Sequence, residues 1–542
     1  MRRLFFAGLE NPSFWSSQRS LSGPDGSAFQ PRSRVKGRRA GGSTPIPLWP
    51  YRGAMRTTLM SLPSRVSEAV PTIRDARMLR LTFWFVLIAN LACSFYAARD
   101  ARGLYSDGVG YLVTVYGHQW FSLFDTRTIV QILRQAPVVL LSRYTPATLF
   151  QCGQAFTLVM LTLPPLLCAL CWFIAPHNRK TWILFPLAYL LIGFAATSMH
   201  AIGEAAIAAS YYWILLFLLL FRTGSTGGRA LFLLLCIPAF RLHEATFPLT
   251  AVLVLAIVLC PATDRRERLF VAFAILLLAA IFVYQVRWVA YPQFPDDRGH
   301  IVQGLTRLEF LYVDGHFNLP LATGGLALLA LSTVFFLFIT QPSDRARRLA
   351  GMTAVAWALV AFAAMAVAVM VEQSFSPFAQ LQARYHPVII SAVLGTAVIL
   401  LFRYNLPDRL WMQPTTIFIL ILLCAAQSVA DVAATRRWNA YVVDLQSRLV
   451  NGRGLIPWET TLHTASERAD INWRLMKIGW TLPFSSIAFA PNGVVNAIIA
   501  APIDTTFRPF DPAQPDQLPK LNGVDYSPYE RFLTVQKSGG QP

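Results

Sequence analysis

The sequence predicts an all-α membrane protein that crosses the bilayer many times. Of its 542 residues, 55% are hydrophobic and 14% are charged, a balance that soluble domains of this size do not have. Apolar stretches of membrane-spanning length recur along the chain. The net charge is +19, but the basic residues are spread over the N-terminal tail and short connectors. That distribution excludes nucleic acid as an expected partner and indicates a lipid bilayer.

Residues 1–78 are the first predicted region. They are rich in Ser, Arg, Gly and Pro, and no apolar face in them is long enough to fold on, so we expect a disordered basic tail on the cytoplasmic side. No signal peptide is predicted, because the basic start is not followed by a short apolar stretch and a cleavage site. Met55 and Met60 are alternative start positions.

Residues 79–431 are the predicted transmembrane domain, with about 11 segments. The stretch 230–260 is long enough for one helix or for a hairpin of two short ones. The other nine segments follow directly from hydropathy and are 80–97, 149–175, 181–198, 205–221, 269–290, 320–340, 349–371, 387–402 and 415–431.

The distribution of charge favours the hairpin. With a hairpin, the connectors on the side of the basic N-terminus hold 12 Lys and Arg in 41 residues, against 9 in 105 on the opposite side. A single span would move the basic stretches "TDRRERL" and "SDRARRL" to the outer side, against the positive-inside rule. The N-terminus is then cytoplasmic and the C-terminus periplasmic, as in a protein of the bacterial inner membrane.

The turn of this hairpin carries three polar residues, Arg241, His243 and Glu244, in "FRLHEATFPL". The first arm, 230–240, rises about 17 Å at helical pitch, less than the hydrocarbon thickness of about 30 Å. The turn should therefore lie below the outer surface, where polar backbone is tolerated in a water-filled cavity or within protein. We expect the three residues to face an outward-open cavity; the alternative is a structural Arg–Glu pair between two helices.

The first outer loop, 98–148, contains three acidic residues, Asp100, Asp107 and Asp125. Its second half, "TRTIVQILRQAPVVLLSRY", has the pattern of an amphipathic helix that lies at the membrane interface. Interfacial helices are therefore predicted in this loop.

The other outer connectors also gather acidic and histidine residues. Each carboxylate by itself is most simply a solvated loop residue, but their accumulation on one side, above a polar turn, indicates an active site. The residues concerned are His200, Glu204, Asp296, Asp297, Asp314, His316, Glu372, Arg384, Tyr385 and His386.

This arrangement resembles the GT-C superfamily of membrane glycosyltransferases, which includes the protein mannosyltransferases. "LYSDGVGYL" stands where members have an acidic residue just after the first span, and "FRLHEATFPL" stands where many have an Arg-x-x-Glu-like turn on a short helix. The resemblance covers about 80–540 and rests on topology and these two motifs. It departs from the family where members often have adjacent Asp-Glu, because here Asp107 is followed by Gly108.

The resemblance implies transfer of a sugar from a polyprenyl-phosphate donor to a hydroxyl of a glycan, lipid or protein on the outer face. Asp107 would be the general base that deprotonates this hydroxyl, with Asp100 and Asp125 as alternatives. The leaving phosphate calls for fixed guanidinium groups. The predicted phosphate or substrate contacts are Arg241, Arg384, Glu244, Glu204, His243 and Tyr385; no metal-ligating residue is predicted, and no cofactor is assigned besides the donor substrate.

Residues 432–542 are predicted to form a small mixed domain on the outer side. The segment "GVVNAIIAAP" is typical of one buried strand. The region is also rich in tryptophan, and these rings suit either stacking on sugars or anchoring at the interface; the residues are Trp458, Trp473 and Trp480.

Two other functions fit parts of the pattern. A lipid flippase or solute transporter also carries intramembrane charges, but no internal repeat with matching broken helices is visible here. A non-catalytic assembly or polymer-export component is the other alternative, and within the enzyme class a polymerase or ligase of lipid-linked oligosaccharides fits as well. Cys168 and Cys171 lie inside a predicted span, where small core-filling residues are expected instead of a metal site.

Overall fold

The computed structural model describes residues 73–105, 107–195, 198, 203–259, 265–291, 312–313, 316–317, 377–403, 414–452, 455–457, 481–491 and 496–499. This part of the chain is mostly helical, and six of its helices are long and apolar enough to cross a membrane. A helical, multi-pass membrane protein is therefore confirmed. The predicted spans 320–340 and 349–371 lie outside the described residues, so the total of about 11 segments stays a prediction.

Twelve helices and four short strands make up the described residues. Helices α1, α4, α6, α9, α10 and α11 are the six that could span a membrane. The elements are α1 (Ile73–Arg99), α2 (Asp107–His118), α3 (Thr128–Tyr144), α4 (Leu149–Ile174), α5 (Leu184–Tyr189), α6 (Glu204–Phe221), α7 (Thr226–Ala239), α8 (Phe247–Leu259), α9 (Arg265–Ala290), β1 (Tyr312–Val313), β2 (His316–Phe317), α10 (Pro377–Arg403), α11 (Pro414–Asn451), β3 (Leu455–Pro457), α12 (Leu482–Phe489) and β4 (Ala497–Ile499).

Helix α6 lies at the centre of the bundle, and 15 of its 18 residues are buried. It packs against α4, α8 and α10, while α1 packs between α4 and α11. Helix α1 begins at Ile73, so the last residues of the predicted disordered tail belong to this helix. An apolar sequence on all sides of α6 suits this position, because no face of the helix meets water.

The predicted span 181–198 is not one continuous helix. The chain runs through a 3-10 segment, His177–Ile183, then α5, then a π-helical turn, Leu190–Phe194. A π turn leaves backbone carbonyl groups without their usual helical partners. Here the Ile192 carbonyl accepts a hydrogen bond from Nε2 of His386 at 2.9 Å, which satisfies one such group inside the bundle.

The stretch 230–260 contains two helices, α7 and α8, that run in opposite directions against α9. Phe232 contacts Phe270 near the start of α9 and Phe240 contacts Tyr284 near its end, so α7 is parallel to α9. Phe247 at the start of α8 contacts Phe282, so α8 is antiparallel to it. The structure therefore has the hairpin that the charge distribution favoured.

The connectors between helices lie at two opposite ends of the bundle, as their contacts with one another show. At one end, Nε of Arg222 donates to the Ile174 carbonyl at 2.8 Å, and Trp182 packs on Phe221 and Phe402. At the opposite end lie the first loop, the start of α6 and the turn of the hairpin, joined by the ion pairs of Arg127 described below. These two groups are the ones that the predicted topology assigns to opposite sides; which of them faces the cytoplasm stays a prediction.

The first loop contains two helices, α2 and α3. Helix α3 buries three polar residues, Gln131, Arg134 and Gln135, beside three valines, while Leu133 and Leu140 on its other side are 42% and 57% exposed. In water this distribution would be reversed, because apolar side chains are normally the buried ones. A helix that points apolar residues outward is suited to lipid, in agreement with the interfacial helix expected from the sequence.

Helix α11 runs 20 residues past the predicted domain boundary at Asp431. Its 38 residues measure about 57 Å at helical pitch, more than the membrane needs. The helix continues because Ala434, Trp438, Tyr441 and Leu445 are buried at spacings of three and four, which gives one apolar stripe. The predicted strand in "GVVNAIIAAP" is present as β4, which pairs in parallel with β3.

Candidate functional site: a buried ion cluster at the first-loop end

Two of the predicted acidic residues, Glu204 and Glu244, meet inside the protein. Glu204 is the first residue of α6, and Glu244 begins a short 3-10 turn between the arms of the hairpin. Their side chains are 3% and 4% exposed. Carboxylates so deeply buried must be paired with cations and hydrogen-bonded, and both are held by arginines from the first loop.

Arg127 joins the two carboxylates. Its Nε donates to Oε1 and to Oε2 of Glu244, each at 3.0 Å, and Nη2 donates to Oε1 of the same carboxylate. Its Nη1 donates to Oε2 of Glu204 at 3.2 Å. One guanidinium therefore fastens the turn of the hairpin and the start of α6 to the start of α3.

Arg134 completes the cluster from two turns further along α3. Its Nη2 donates to Oε1 of Glu204 at 2.6 Å, and the same oxygen accepts a weaker bond from Nε2 of Gln131 at 3.4 Å. Arg127, Gln131 and Arg134 share one face because they are spaced by four and three residues. Two of the polar residues on the inner face of α3, Gln131 and Arg134, therefore bind a buried carboxylate.

The charges of the cluster balance, with two guanidinium groups and two carboxylates. Burial lowers the pKa of Arg127, but the carboxylates of Glu244 and Glu204 outweigh burial and raise the pKa well above its usual value. Arg127 therefore keeps its charge at any physiological pH. Both arginines are already committed to carboxylates, so we assign them to holding the site together and not to direct contact with a substrate anion.

Asp107, the predicted base, belongs to the same helix as Tyr111, and Tyr111 contacts this cluster. Asp107 is the first residue of α2 and is half-buried; Tyr111 lies one helical turn later, on the same face. The guanidinium of Arg134 sits 4.4 Å from the centre of the Tyr111 ring. Loss of hydration raises the pKa of Tyr111, and the charges of Glu204 and Asp107 raise it further, so the phenol stays protonated.

Arg241 stands apart from its neighbours in the hairpin turn. His243 and Glu244 are buried, whereas the Arg241 side chain is exposed and pairs with no carboxylate among the described residues. Its backbone is fixed, because the Arg241 carbonyl accepts a hydrogen bond of 3.0 Å from the backbone N–H of Ile129 in α3. Nδ1 of His243 accepts a bond of 3.1 Å from the N–H of Ala245.

The remaining predicted site residues are distributed as follows. Asp125 is exposed, and Asp100 is half-buried next to Arg99, with 3.8 Å between the charged atoms. Burial raises the pKa of Asp100 and the Arg99 charge opposes the shift. Arg384 and Tyr385 belong to the first turns of α10, but their side chains, like all of Asp296, Asp297 and Glu372, are outside the description.

The sequence did not identify Arg127, Gln131, Arg134 or Tyr111 as site residues. The signal was present in "TRTIVQILRQ", where two arginines lie seven residues apart, on the same face as Gln131, in a helix whose other face is apolar. Within the described residues no group of three or more His, Cys, Asp and Glu could hold a metal ion. No family model, curated protein or solved structure matches the chain.

Proposed function

We propose that the chain is a membrane glycosyltransferase that moves a sugar from a polyprenyl-phosphate donor to an acceptor hydroxyl on the outer face. One observation carries the proposal. The helix that starts with Asp107 and the turn that holds Glu244 are connected by continuous contacts, which run from Tyr111 of that helix through Arg134, Glu204 and Arg127 to Glu244. These are the two motifs on which the resemblance to GT-C glycosyltransferases rests.

The reaction needs a base, and Asp107 is the best-situated carboxylate. Its half-buried position gives access to a substrate and keeps part of the bulk solvent away. Glu204 and Glu244 hold arginines and cannot move a proton without breaking the cluster, while Asp125 is exposed. Asp107 would accept the proton of the acceptor hydroxyl as the oxygen attacks the anomeric carbon.

The departing polyprenyl phosphate needs a positive charge, and Arg241 supplies the best candidate. Its guanidinium is exposed and unpaired with any described carboxylate, while its backbone is tied to α3 through Ile129. A fixed main chain with a reachable guanidinium suits the capture of a phosphate whose charge grows in the transition state. Arg384 and Tyr385, on the adjoining start of α10, remain predicted contacts.

The buried cluster then acts as a positioning device. It holds the turn with Arg241 and the helix with Asp107 against the same end of α6, so base and phosphate ligand keep a constant separation. A neutral cluster suits this task, since it adds no net charge that would compete for the donor phosphate. Misplacement of either group by about 1 Å would lower the rate strongly.

Transfer of radiolabelled sugar in membranes that contain the chain tests the proposal. A set of polyprenyl-phosphate sugars is offered, and Asp107→Asn should reduce turnover at least about a hundredfold, the usual contribution of a general base. Asp125→Asn is the matched control and should leave turnover unchanged, because its carboxylate is exposed. Near-normal turnover in Asp107→Asn would remove Asp107 as the base, and no transfer from any donor by the wild type would refute the proposal.

A further inference from the structure

A second buried ion pair lies just before Asp107 in the sequence. Arg102, in a 3-10 turn Arg102–Leu104, is 1% exposed and its Nη2 lies 2.7 Å from Oδ1 of Asp431 in α11. Its Nη1 also donates to the Asp431 carbonyl at 2.9 Å and to the Thr435 hydroxyl at 2.8 Å. Ser198 donates to the same Asp431 oxygen at 2.8 Å. Arg102 thus binds one full turn of α11.

The residue before Arg102 has a strained backbone. Ala101 has φ of 50° and ψ of 38°, in the left-handed region, and it is fully buried. A residue with a side chain is strained there and persists only when its surroundings hold it. The strain marks a turn that the rest of the protein imposes on the chain.

A second contact from α11 lies on the other side of Ala101. Nε1 of Trp438 donates to the Asp100 carbonyl at 2.8 Å, and the Trp438 ring packs edge-on against Tyr105 at 6.2 Å. On the opposite side of the turn, the N–H of Gly103 donates to the Thr157 hydroxyl of α4 at 3.1 Å. Contacts from two helices therefore surround the strained residue.

The turn also determines where α2 begins. Gly108, the second residue of α2, lies so close to the Gly103 carbonyl that a Cβ on Gly108 would come within 2.0 Å of that oxygen. The first turn of α2, with Asp107, is thus packed directly on the turn that α11 holds. Helix α12 packs against α2 and against α11, so the same long helix supports α2 on a second side.

From these contacts we infer that Arg102 and Asp431 are positioning residues: with Trp438, they clamp the strained turn at Ala101 onto α11 and thereby set the position of Asp107. The inference depends on the proposed function only for the role of Asp107 as the base. On this inference, the part of α11 beyond the predicted span links the C-terminal segments to the loop that carries Asp107.

The first test does not need a substrate. Asp107→Cys is labelled with a membrane-impermeant maleimide in the full-length chain, and the unmodified chain measures the background from native cysteines. Adding Asp431→Asn, or Trp438→Phe, which removes the indole N–H and keeps a smaller aromatic ring, should change the labelling rate at position 107 at least about fivefold. This factor corresponds to release of about 1 kcal/mol of backbone strain. The rate at an Asp125→Cys control should not change.

Glycine at position 101 provides the rescue. Glycine adopts the left-handed region without strain, so Ala101→Gly should return the labelling rate of the Asp431→Asn chain toward the starting value. In a transfer assay Asp431→Asn should lower kcat about tenfold with KM unchanged, and Ala101→Gly should restore part of kcat. Equal labelling rates with and without both clamp substitutions would overturn the inference. Changed labelling in a chain that transfers no sugar would instead refute the proposed function and leave the clamp intact.

Discussion

Nε of Arg127 lies 3.0 Å from each of the two carboxylate oxygens of Glu244, 117 positions away in the sequence. The bond connects the start of α3 with the turn of the hairpin, two elements whose sequences give no local reason to meet. Because Glu204 accepts from the same guanidinium, removal of Arg127 would leave two buried carboxylates with one arginine between them. The stability of this end of the bundle should therefore depend on Arg127.

Replacing Arg127 by alanine should lower the free energy of unfolding by about 3–5 kcal/mol, the usual cost of an uncompensated buried charge. Thermal unfolding in detergent measures the effect. Arg143→Ala is the matched control, from the helix that Arg127 precedes: this exposed arginine packs over Trp120 and Tyr144, and its loss should cost about 1 kcal/mol or less. Adding Glu244→Ala to Arg127→Ala should recover part of the loss, since one unpaired carboxylate disappears. An unfolding curve of Arg127→Ala that matches the wild type would show that the cluster is not buried as described.

The close packing of α2 on the preceding turn predicts that Gly108 cannot carry a side chain. A Cβ would approach the Gly103 carbonyl to 2.0 Å, so Gly108→Ala must displace the first turn of α2 together with Asp107. We expect turnover to fall at least about a hundredfold, because a shift of about 1 Å at a reacting group can have this effect. Gly224→Ala is the control, as nothing lies within 4 Å of the added Cβ. Full activity of Gly108→Ala would mean that α2 starts elsewhere.

A polar network inside the bundle joins the hairpin to α9 and α6. Nε2 of Gln285 in α9 lies 3.1 Å from the Ala239 carbonyl at the end of α7, and 3.0 Å from both the Thr246 and the Tyr212 hydroxyl oxygens. Its Oε1 accepts from the Thr250 hydroxyl at 2.8 Å. This single side chain therefore connects α9 to both arms of the hairpin and to α6.

Gln285→Leu should lower the free energy of unfolding by about 1–2 kcal/mol, the size of interhelical hydrogen bonds in membranes. It should also increase the rate of maleimide labelling of a cysteine placed at Arg241, since Gln285 no longer bonds to the residues on both sides of the turn. Gln154→Leu is the control, because Gln154 makes a single bond, to the Arg99 carbonyl, at the edge of the bundle. If neither stability nor labelling changes, the network does not hold the turn.

Much of the architecture could be predicted because it depends on local properties of the sequence. Hydropathy predicts the six long helices. The positive-inside rule predicts the hairpin of α7 and α8, since it depends on how basic residues are distributed between the connectors and not on how the helices pack. Glu204 and Glu244 were recognisable because carboxylates next to apolar runs are rare. Such residues can be recognised as candidate site residues from the sequence alone, before their partners are known.

The partners could not be predicted because they depend on tertiary contacts. Arg127 and Arg134 read as ordinary basic residues of an interfacial helix, and nothing near them in the sequence points to Glu244 or Glu204. The π turn at Leu190–Phe194 was missed for the same reason, since its freed Ile192 carbonyl is satisfied by His386, nearly 200 positions away. The sequence predicts a span that ends at Asp431, whereas in the structure α11 continues to Asn451 and Asp431 pairs with Arg102 inside the helix.

The exposed apolar face of α3 predicts direct contact with lipid. Nitroxide labels at Leu133→Cys and Leu140→Cys should be more accessible to oxygen, which partitions into lipid, than to a water-soluble nickel complex, as expected for a helix buried at the acyl boundary. A label at Asp125→Cys, which precedes α3 and is exposed, should show the reverse preference. Higher accessibility of positions 133 and 140 to the nickel complex would place this face in water and remove α3 from the membrane interface.

The two ends of the bundle should lie on opposite sides of the membrane, with the first-loop end outside. Gly224, in the connector between α6 and α7, lies at the end where basic residues are concentrated, so the positive-inside rule assigns it to the cytoplasm. Asp125 belongs to the end that holds the ion cluster. With an impermeant maleimide on sealed vesicles, Gly224→Cys should react only in inside-out vesicles and Asp125→Cys only in right-side-out ones, after subtraction of the unmodified chain. Labelling of both positions from one side would contradict three crossings of the bilayer between them, by α4, the segment 181–198 and α6. The reverse pattern would keep the fold but put Asp107 and Arg241 in the cytoplasm, where a donor presented at the outer leaflet could not reach them.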